Sequence, residues 1–328
     1  MKPNIFEIST KELTQDGFIT WLLMWADPDN KKYDPKLNEC GVDFVKLLIK
    51  KQYNHNIEIK KVETGRQWEH IDIWADVNEE YFIIIEDKTF TSEHSNQLET
   101  YKKISSEWCK ENNRKLVCIY LKTGTEAKSS LKIVAEKGFS IIERFELLNF
   151  LKNYEISNNI YVDFLEKINN LENAEKAYET KEIKNWDWSC WTGFYHFLDT
   201  QMEIIDWQYV ANPTGGFLGI WWHFLEWKEY YVYLQIEQGN LCFKIGEVYE
   251  NHSDARNRWF EILMEKAKQK NKTEIIKPSR FGSGTYMTVA IVEIKNWLGN
   301  DDEIINKENV LKKLKQYEEF LDYCIKEK

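Results

Sequence analysis

The chain has 328 residues, 43% hydrophobic and 30% charged, with a formal net charge of −10. That length suffices for two domains, each burying its own core, and the acidic balance argues against bulk affinity for nucleic acid. No apolar run reaches the ~18 residues of a membrane span, so no membrane partner is expected. The opening "MKPNIFEISTKELTQDG" lacks the apolar core of a signal peptide. Six scattered cysteines form no C-x-x-C pair; together these features predict a cytoplasmic protein with reduced thiols.

In chain order, "TKELTQDGFITWLLMW" (10–25) predicts a helix ending before Asp27-Pro28, followed by a polar loop. "ECGVDFVKLLIKK" (39–51) predicts an amphipathic helix with Val42, Leu47 and Leu48 among its apolar positions. "IEIKKVE" (57–63) reads as a strand, and "HIDIWADVNEEYFIIIEDK" (70–88) as a hairpin. A helix with Ser92 at its N-cap follows, then a strand, "KLVCIYLK" (115–122). Antiparallel neighbours followed by a helical crossover predict an α/β fold with a mixed sheet flanked by helices. Residues 1–150 form this first domain and 151–185 a helical connector. From Trp186 the texture changes to an α+β domain over 186–328. Three strands ("GFLGIWWHFLEW", "YYVYLQIE", "LCFKIGEV"), a helix over 253–270, strands near 273–277 and 285–293, and a final helix over 304–326 make it up. This part houses nine of the 14 tryptophans; an aromatic core is the expected reading, a base-stacking platform for substrate or partner recognition the alternative.

The hairpin carries acids among its isoleucines. With Asn78, Glu79 and Glu80 in the turn and Val77 opposite Tyr81, Asp72 falls opposite Glu86 and His70 opposite Lys88. Asp72, Glu86 and Lys88 then share one face. Two opposed carboxylates are destabilising in a plain sheet, and a divalent cation between them removes the repulsion. Two carboxylates and a carbonyl, here that of Asp87, make a hard oxygen site for Mg²⁺ or Mn²⁺ rather than zinc. Lys88 beside it would hold or help deprotonate a water, which outlines phosphodiester hydrolysis.

D-(x)₁₃-E-D-K over Asp72, Glu86, Asp87 and Lys88 resembles the PD-(D/E)XK nuclease superfamily, whose core element order matches the one read above. "QLETY" supplies Gln97 and Tyr101 in the Q-x-x-x-Y spacing of RecB-like members, one helical turn apart on one face. "NIFEIS…FITWLLMWADP" and "GVDFVKLLI" resemble the opening of bacterial PD-(D/E)XK proteins of uncharacterised role. The resemblance covers about residues 4–125. It implies a restriction-endonuclease-like core and a metal-dependent nuclease (an endonuclease among the options) acting on nucleic acid, DNA before RNA, with a role in defence or restriction. The motif proline is absent, since Ile71 precedes Asp72. The superfamily often adds an acid from its first helix, for which Glu39 and Asp43 are the candidates, Glu39 being named as a metal ligand. Arg66 and His70 precede the first motif acid and are candidate phosphate contacts.

Other chemistries find no support: there is no H-E-x-x-H, no G-x-x-x-x-G-K-[ST] loop and no G-x-S-x-G elbow, and "RFGSG" (280–284) reads as a turn. A different class of function stays open, a catalytically silent nuclease fold serving as a binding or assembly module through its C-terminal domain. A homo-oligomer or a protein partner is compatible with either reading.

Overall fold

The computed structural model describes residues 2–9, 11–54, 56–93, 96–212 and 215–326. It divides into two compact units, Met1–Asn173 and Ala174–Lys328.

The first unit opens with α1 (Ile5–Ile8), α2 (Glu12–Trp25) and α3 (Pro35–Lys50), with a tight turn of helix over Pro28–Lys32 between the last two. That turn lies where the sequence suggested only a loop. Asp27 caps it through Asp29 N, and Asp34 caps α3 through the N–H groups of Lys36 and Leu37, with Pro35 at the first helical position. α3 therefore begins four residues earlier than its apolar periodicity suggests.

The sheet follows: β1 (Val62–Trp68), β2 (Ile71–Val77), β3 (Tyr81–Lys88), α4 (Gln97–Asn112), β4 (Lys115–Lys122), α5 (Lys128–Glu136), β5 (Ser140–Glu143), α6 (Arg144–Lys152) and α7 (Asn159–Lys176). The five strands lie in sequence order, antiparallel from β1 to β3 and parallel from β3 to β5. This is the expected mixed sheet flanked by helices. β1 sits later than the expected 57–63; Val62 is its only buried residue, so no alternation marked it in the sequence. The helix after β3 starts at Gln97 with Asn96 at its N-cap, not at Ser92; residues 94–95 of that expected helix lie outside the described residues.

The β2–β3 ladder pairs Val77 with Tyr81, Trp74 with Ile84 and Ile73 with Ile85. This is the register assumed from the sequence. Asn78 and Glu79 both have positive φ, 57° and 53°, the left-handed backbone of a turn closed by Glu80 N on Val77 O at 2.9 Å, whose twist matches that of the strands. Asn78 also accepts from the N–H groups of Lys60 and Lys61 and donates to Glu58 O at 2.7 Å, which anchors the turn on the preceding chain.

Ile73, Ile83 and Ile85 face one core with Leu22, Phe44 and Leu48 of α2 and α3. Phe82 and Ile84 face the other, with Leu98 and Tyr101 of α4. The expected first domain ended near 150 with a connector beyond. In the structure Tyr161, Phe164 and Ile168 of α7 lie in the first unit's core, Phe164 stacked on Phe18 at 3.7 Å.

The exits of β3 and β4 cross closely. Thr123 N donates to Lys88 O at 3.0 Å, and the Thr89 and Thr123 hydroxyls lie 3.0 Å apart. A β-carbon on Gly124 would fall 1.8 Å from Thr89 O, a clash with backbone that rotamers cannot relieve. Gly124→Ala should therefore cost about 3 kcal/mol of stability, read as a lowered urea midpoint. An unchanged midpoint would show that the crossing can open.

The second unit contains α8 (Trp188–Gln201), β6 (Ile204–Val210), β7 (Phe217–Trp227), β8 (Tyr230–Glu237), β9 (Asn240–Gly246), α9 (His252–Gln269), β10 (Ile275–Ile276), β11 (Met287–Val292), α10 (Ile294–Trp297) and α11 (Lys307–Ile325). Its strands form one antiparallel sheet in the order β10-β11-β9-β8-β7-β6. Trp191, Trp207, Trp222, Trp227, Trp259 and Trp297 are buried, whereas Trp188 is exposed. Three of these indoles have acceptors: Trp222 donates to Glu318, Trp207 to Asp199 and Trp297 to Gly239 O, whereas among the described residues nothing accepts from Trp259.

Candidate active site

Strand alternation and the fixed register bring Asp72, Glu86 and Lys88 to the α4 side of the sheet, at the open end of the hairpin. Glu86 is 1% exposed. Lys88 Nζ stands 2.5 Å from its Oε1, while among the described residues no hydrogen-bond donor reaches Oε2. Asp72 Oδ2 accepts from Asp87 N at 3.1 Å, and the Asp72 carboxyl lies within hydrogen-bonding reach of Glu86.

Burial and the neighbouring Asp72 push the Glu86 carboxyl up to about 8, against the pull of Lys88. Asp72 is raised as well, by burial first, with Asp87 N and Lys88 working the other way. Burial alone would lower Lys88, yet Glu86, Asp72 and Glu12 together hold its ammonium above the ordinary lysine range. The pair therefore favours sharing a proton in the absence of a cation.

α4 contributes the two remaining motif residues. Gln97 donates to Tyr101 OH at 2.9 Å, and Tyr101 OH donates to His70 O at 2.7 Å. Glu86, Asp72 and Lys88 all influence the Tyr101 phenol, whose pKa burial raises. Tyr101 thus ties α4 to the hairpin base through the His70 carbonyl, whereas the His70 imidazole is exposed. Arg66 is exposed on β1, donates to Leu13 O at 2.9 Å and acts electrostatically on Asp16. Glu39 lies on the exposed side of α3, where its electrostatic neighbours are Cys40 and Tyr154.

The helix acids at this site come from α2 instead. Glu12 Oε1 accepts from Thr89 N and Thr91 Oγ1, both at 2.8 Å, and acts electrostatically on Asp72 and Lys88. Asp16 meets Asp87 on the opposite face of β3, where the Asp87 side chain is 0% exposed and accepts from Gln15 Nε2 at 2.5 Å. Burial raises Asp16 to about 6 and Asp87 well above its ordinary range, so this buried pair favours holding a proton. Gln15 is held in turn by Thr123 Oγ1 at 3.0 Å. The signal for this network was a row of polar residues at 12, 15 and 16, on one face of α2.

A third missed group lies on β4. Lys122 is the parallel ladder neighbour of Lys88, 2% exposed, and pairs with Glu126 at 3.2 Å. Glu126 also accepts from Tyr120 OH at 3.0 Å.

Among the described residues no three His, Cys, Asp or Glu side chains make a closed metal cage. An open site of two carboxylates still fits Mg²⁺ or Mn²⁺, which keep several waters and share their shell with substrate phosphates. The partnerless buried oxygen of Glu86 is the structural feature that such a cation would satisfy. Among the described residues no helix is long and apolar enough to cross a membrane.

The chain matches the family model of the PD-(D/E)XK nuclease superfamily over residues 3–191. No curated protein matches it, and no solved structure does.

Proposed function

The chain belongs to the PD-(D/E)XK nuclease superfamily, and from that premise we propose that it is a metal-dependent hydrolase of phosphodiester bonds with DNA as its substrate. The observation that carries this reading is the convergence of Asp72, Glu86 and Lys88 on one buried face, with Lys88 Nζ 2.5 Å from Glu86. Asp72, Glu86 and the Asp87 carbonyl would hold Mg²⁺ or Mn²⁺. When bound, that cation lowers the pKa of a water and polarises a phosphoryl oxygen.

The protein's own groups do the rest. Lys88 orients the attacking water and stabilises charge building on the phosphate. Tyr101, fixed by Gln97 and anchored on His70 O, holds α4 against the hairpin so that the face stays assembled. Arg66 and His70 are exposed, and in this reading they would contact the phosphate backbone, His70 from the hairpin base and Arg66 from the α2 side of the sheet, where it donates to Leu13 O.

The test is incubation of the full chain with linear, circular and single-stranded DNA and with RNA, with Mg²⁺, Mn²⁺ or chelator. Cleavage of DNA that chelator stops is the expected result, and circular DNA separates endonuclease from exonuclease action. Thermal unfolding runs beside it: Mn²⁺ at 100 times its Kd should stabilise the protein by about 2.7 kcal/mol, and Asp72→Ala should remove the shift. A metal shift without cleavage of any substrate would favour the binding-module reading. Absence of both would remove the metal site altogether.

A further inference from the structure

The segment Thr89–Glu93 leads from the last motif residue of β3 toward the helix that carries Gln97 and Tyr101. Two side chains grip it from different elements. Glu12 of α2 takes Thr89 N and Thr91 Oγ1, each at 2.8 Å. Lys122 of β4 donates to Thr91 O at 2.5 Å.

Lys122 is unusual for a clamp. Its side chain is 3% exposed, in an environment that disfavours charge, and it is kept there by Glu126 at 3.2 Å. It also neighbours Lys88 across the parallel ladder, where two ammonium groups on one face repel. The two lysines turn to different carboxylates, Lys122 to Glu126 and Lys88 to Glu86. A buried lysine beside another lysine is a poor choice for stability alone, because an apolar side chain would fill the same volume without the desolvation cost.

We propose that Lys122 is a positioning residue for the reaction. Its ammonium pins Thr91 O and so fixes the path of Thr89–Glu93, which sets where Lys88 stands relative to Gln97 and Tyr101. The proposal rests on the nuclease reading for its catalytic half only; the clamp itself is a property of the metal-free protein.

The test compares Lys122→Met, which keeps the stem and removes the donor, with Lys122→Arg, which keeps charge and donors. Hydrogen exchange of the metal-free full chain is read first. Lys122→Met should raise exchange in 89–93 about tenfold or more, with the ladder amides of Ile73 and Ile85 unchanged. On the preferred DNA substrate it should lower kcat about 10- to 100-fold with KM changed less than about twofold. Lys122→Arg should recover at least part of both effects.

Unchanged exchange in 89–93 would overturn the proposal, and so would a rise spread over the whole β2–β3 ladder, which would make Lys122 a core residue only. Changed exchange with unchanged kcat would overturn the catalytic half. Should wild type cut nothing, the nuclease reading fails while the exchange result still decides the clamp. Should Lys122→Met not fold, Glu126→Gln, which leaves the buried ammonium without its counter-charge, carries the same exchange test with the same expected direction.

Discussion

Lys88→Ala should lower the cleavage rate about a thousandfold while leaving the Mn²⁺-induced thermal shift in place. The two readouts separate because the lysine and the carboxylates do different things. Asp72 and Glu86 supply the oxygens a cation would use, whereas Lys88 supplies the ammonium that orients water and meets the phosphate. Removal of Lys88 also takes away the counter-charge 2.5 Å from Glu86. With that gone, the two acids repel more strongly and gain more from a cation, so Mn²⁺ should bind at least as tightly as in wild type. Loss of the thermal shift together with activity would instead make Lys88 a structural support of the site. Full activity in Lys88→Ala would assign the chemistry elsewhere.

Glu86→Gln should abolish cleavage and yet make the metal-free protein more stable at pH 8. The sign follows from linkage. Glu86 has a folded pKa of about 8 against an ordinary value of 4.5, so between those values the folded state binds more proton than the unfolded one. The stability this contributes is complete below about pH 4.5 and is lost as pH rises through about 8. Glutamine mimics the protonated form at every pH and should flatten the decline, a difference on the order of 3 kcal/mol at pH 8. Thermal melts in chelator at pH 5 and pH 8, wild type beside Glu86→Gln, measure it. Parallel curves for the two proteins would mean that Glu86 ionises without penalty, contrary to its burial. Mn²⁺ should restore the wild type at pH 8 and leave Glu86→Gln unmoved.

The hairpin was legible because two isoleucine-rich runs flank a short polar turn; its register was assumed from the simplest pairing across that turn, and that register places Asp72 beside Glu86. β4 was legible as a compact apolar run and α4 as a helix, although its first turn was misplaced because Ser92 looks like a cap. The segments that escaped have weaker local signals. β5 is four residues long and owes its place to pairing with β4. α8 is aromatic on most faces, so its period of 3.6 is hidden.

At the site, the residues named from spacing within one hairpin and one helix turn were brought together. Glu39 was named on helix position, which does not encode which helix packs over the strand ends; α2 occupies that place, with Glu12 acting on Asp72 and Lys88 and Asp16 meeting Asp87 on the other face. Lys122 went unnoticed because its meaning comes from lying next to Lys88 on a parallel neighbour 34 positions away, and no local pattern encodes that adjacency.

The participation of α7 in the first unit's core has a consequence for how such a gene can be rearranged. Phe164 stacks on Phe18, and Phe6 meets both rings edge-on, so the segment carrying Phe6 and Phe18 and residues beyond 160 must be inherited together. A recombination breakpoint between α6 and α7 would leave a fragment that retains every motif residue from Asp72 to Tyr101 and yet exposes the aromatic seam beneath them. Viable exchanges of the second unit should therefore carry crossover points after α7's buried Ile168, even though the recognisable motif ends some 67 codons earlier.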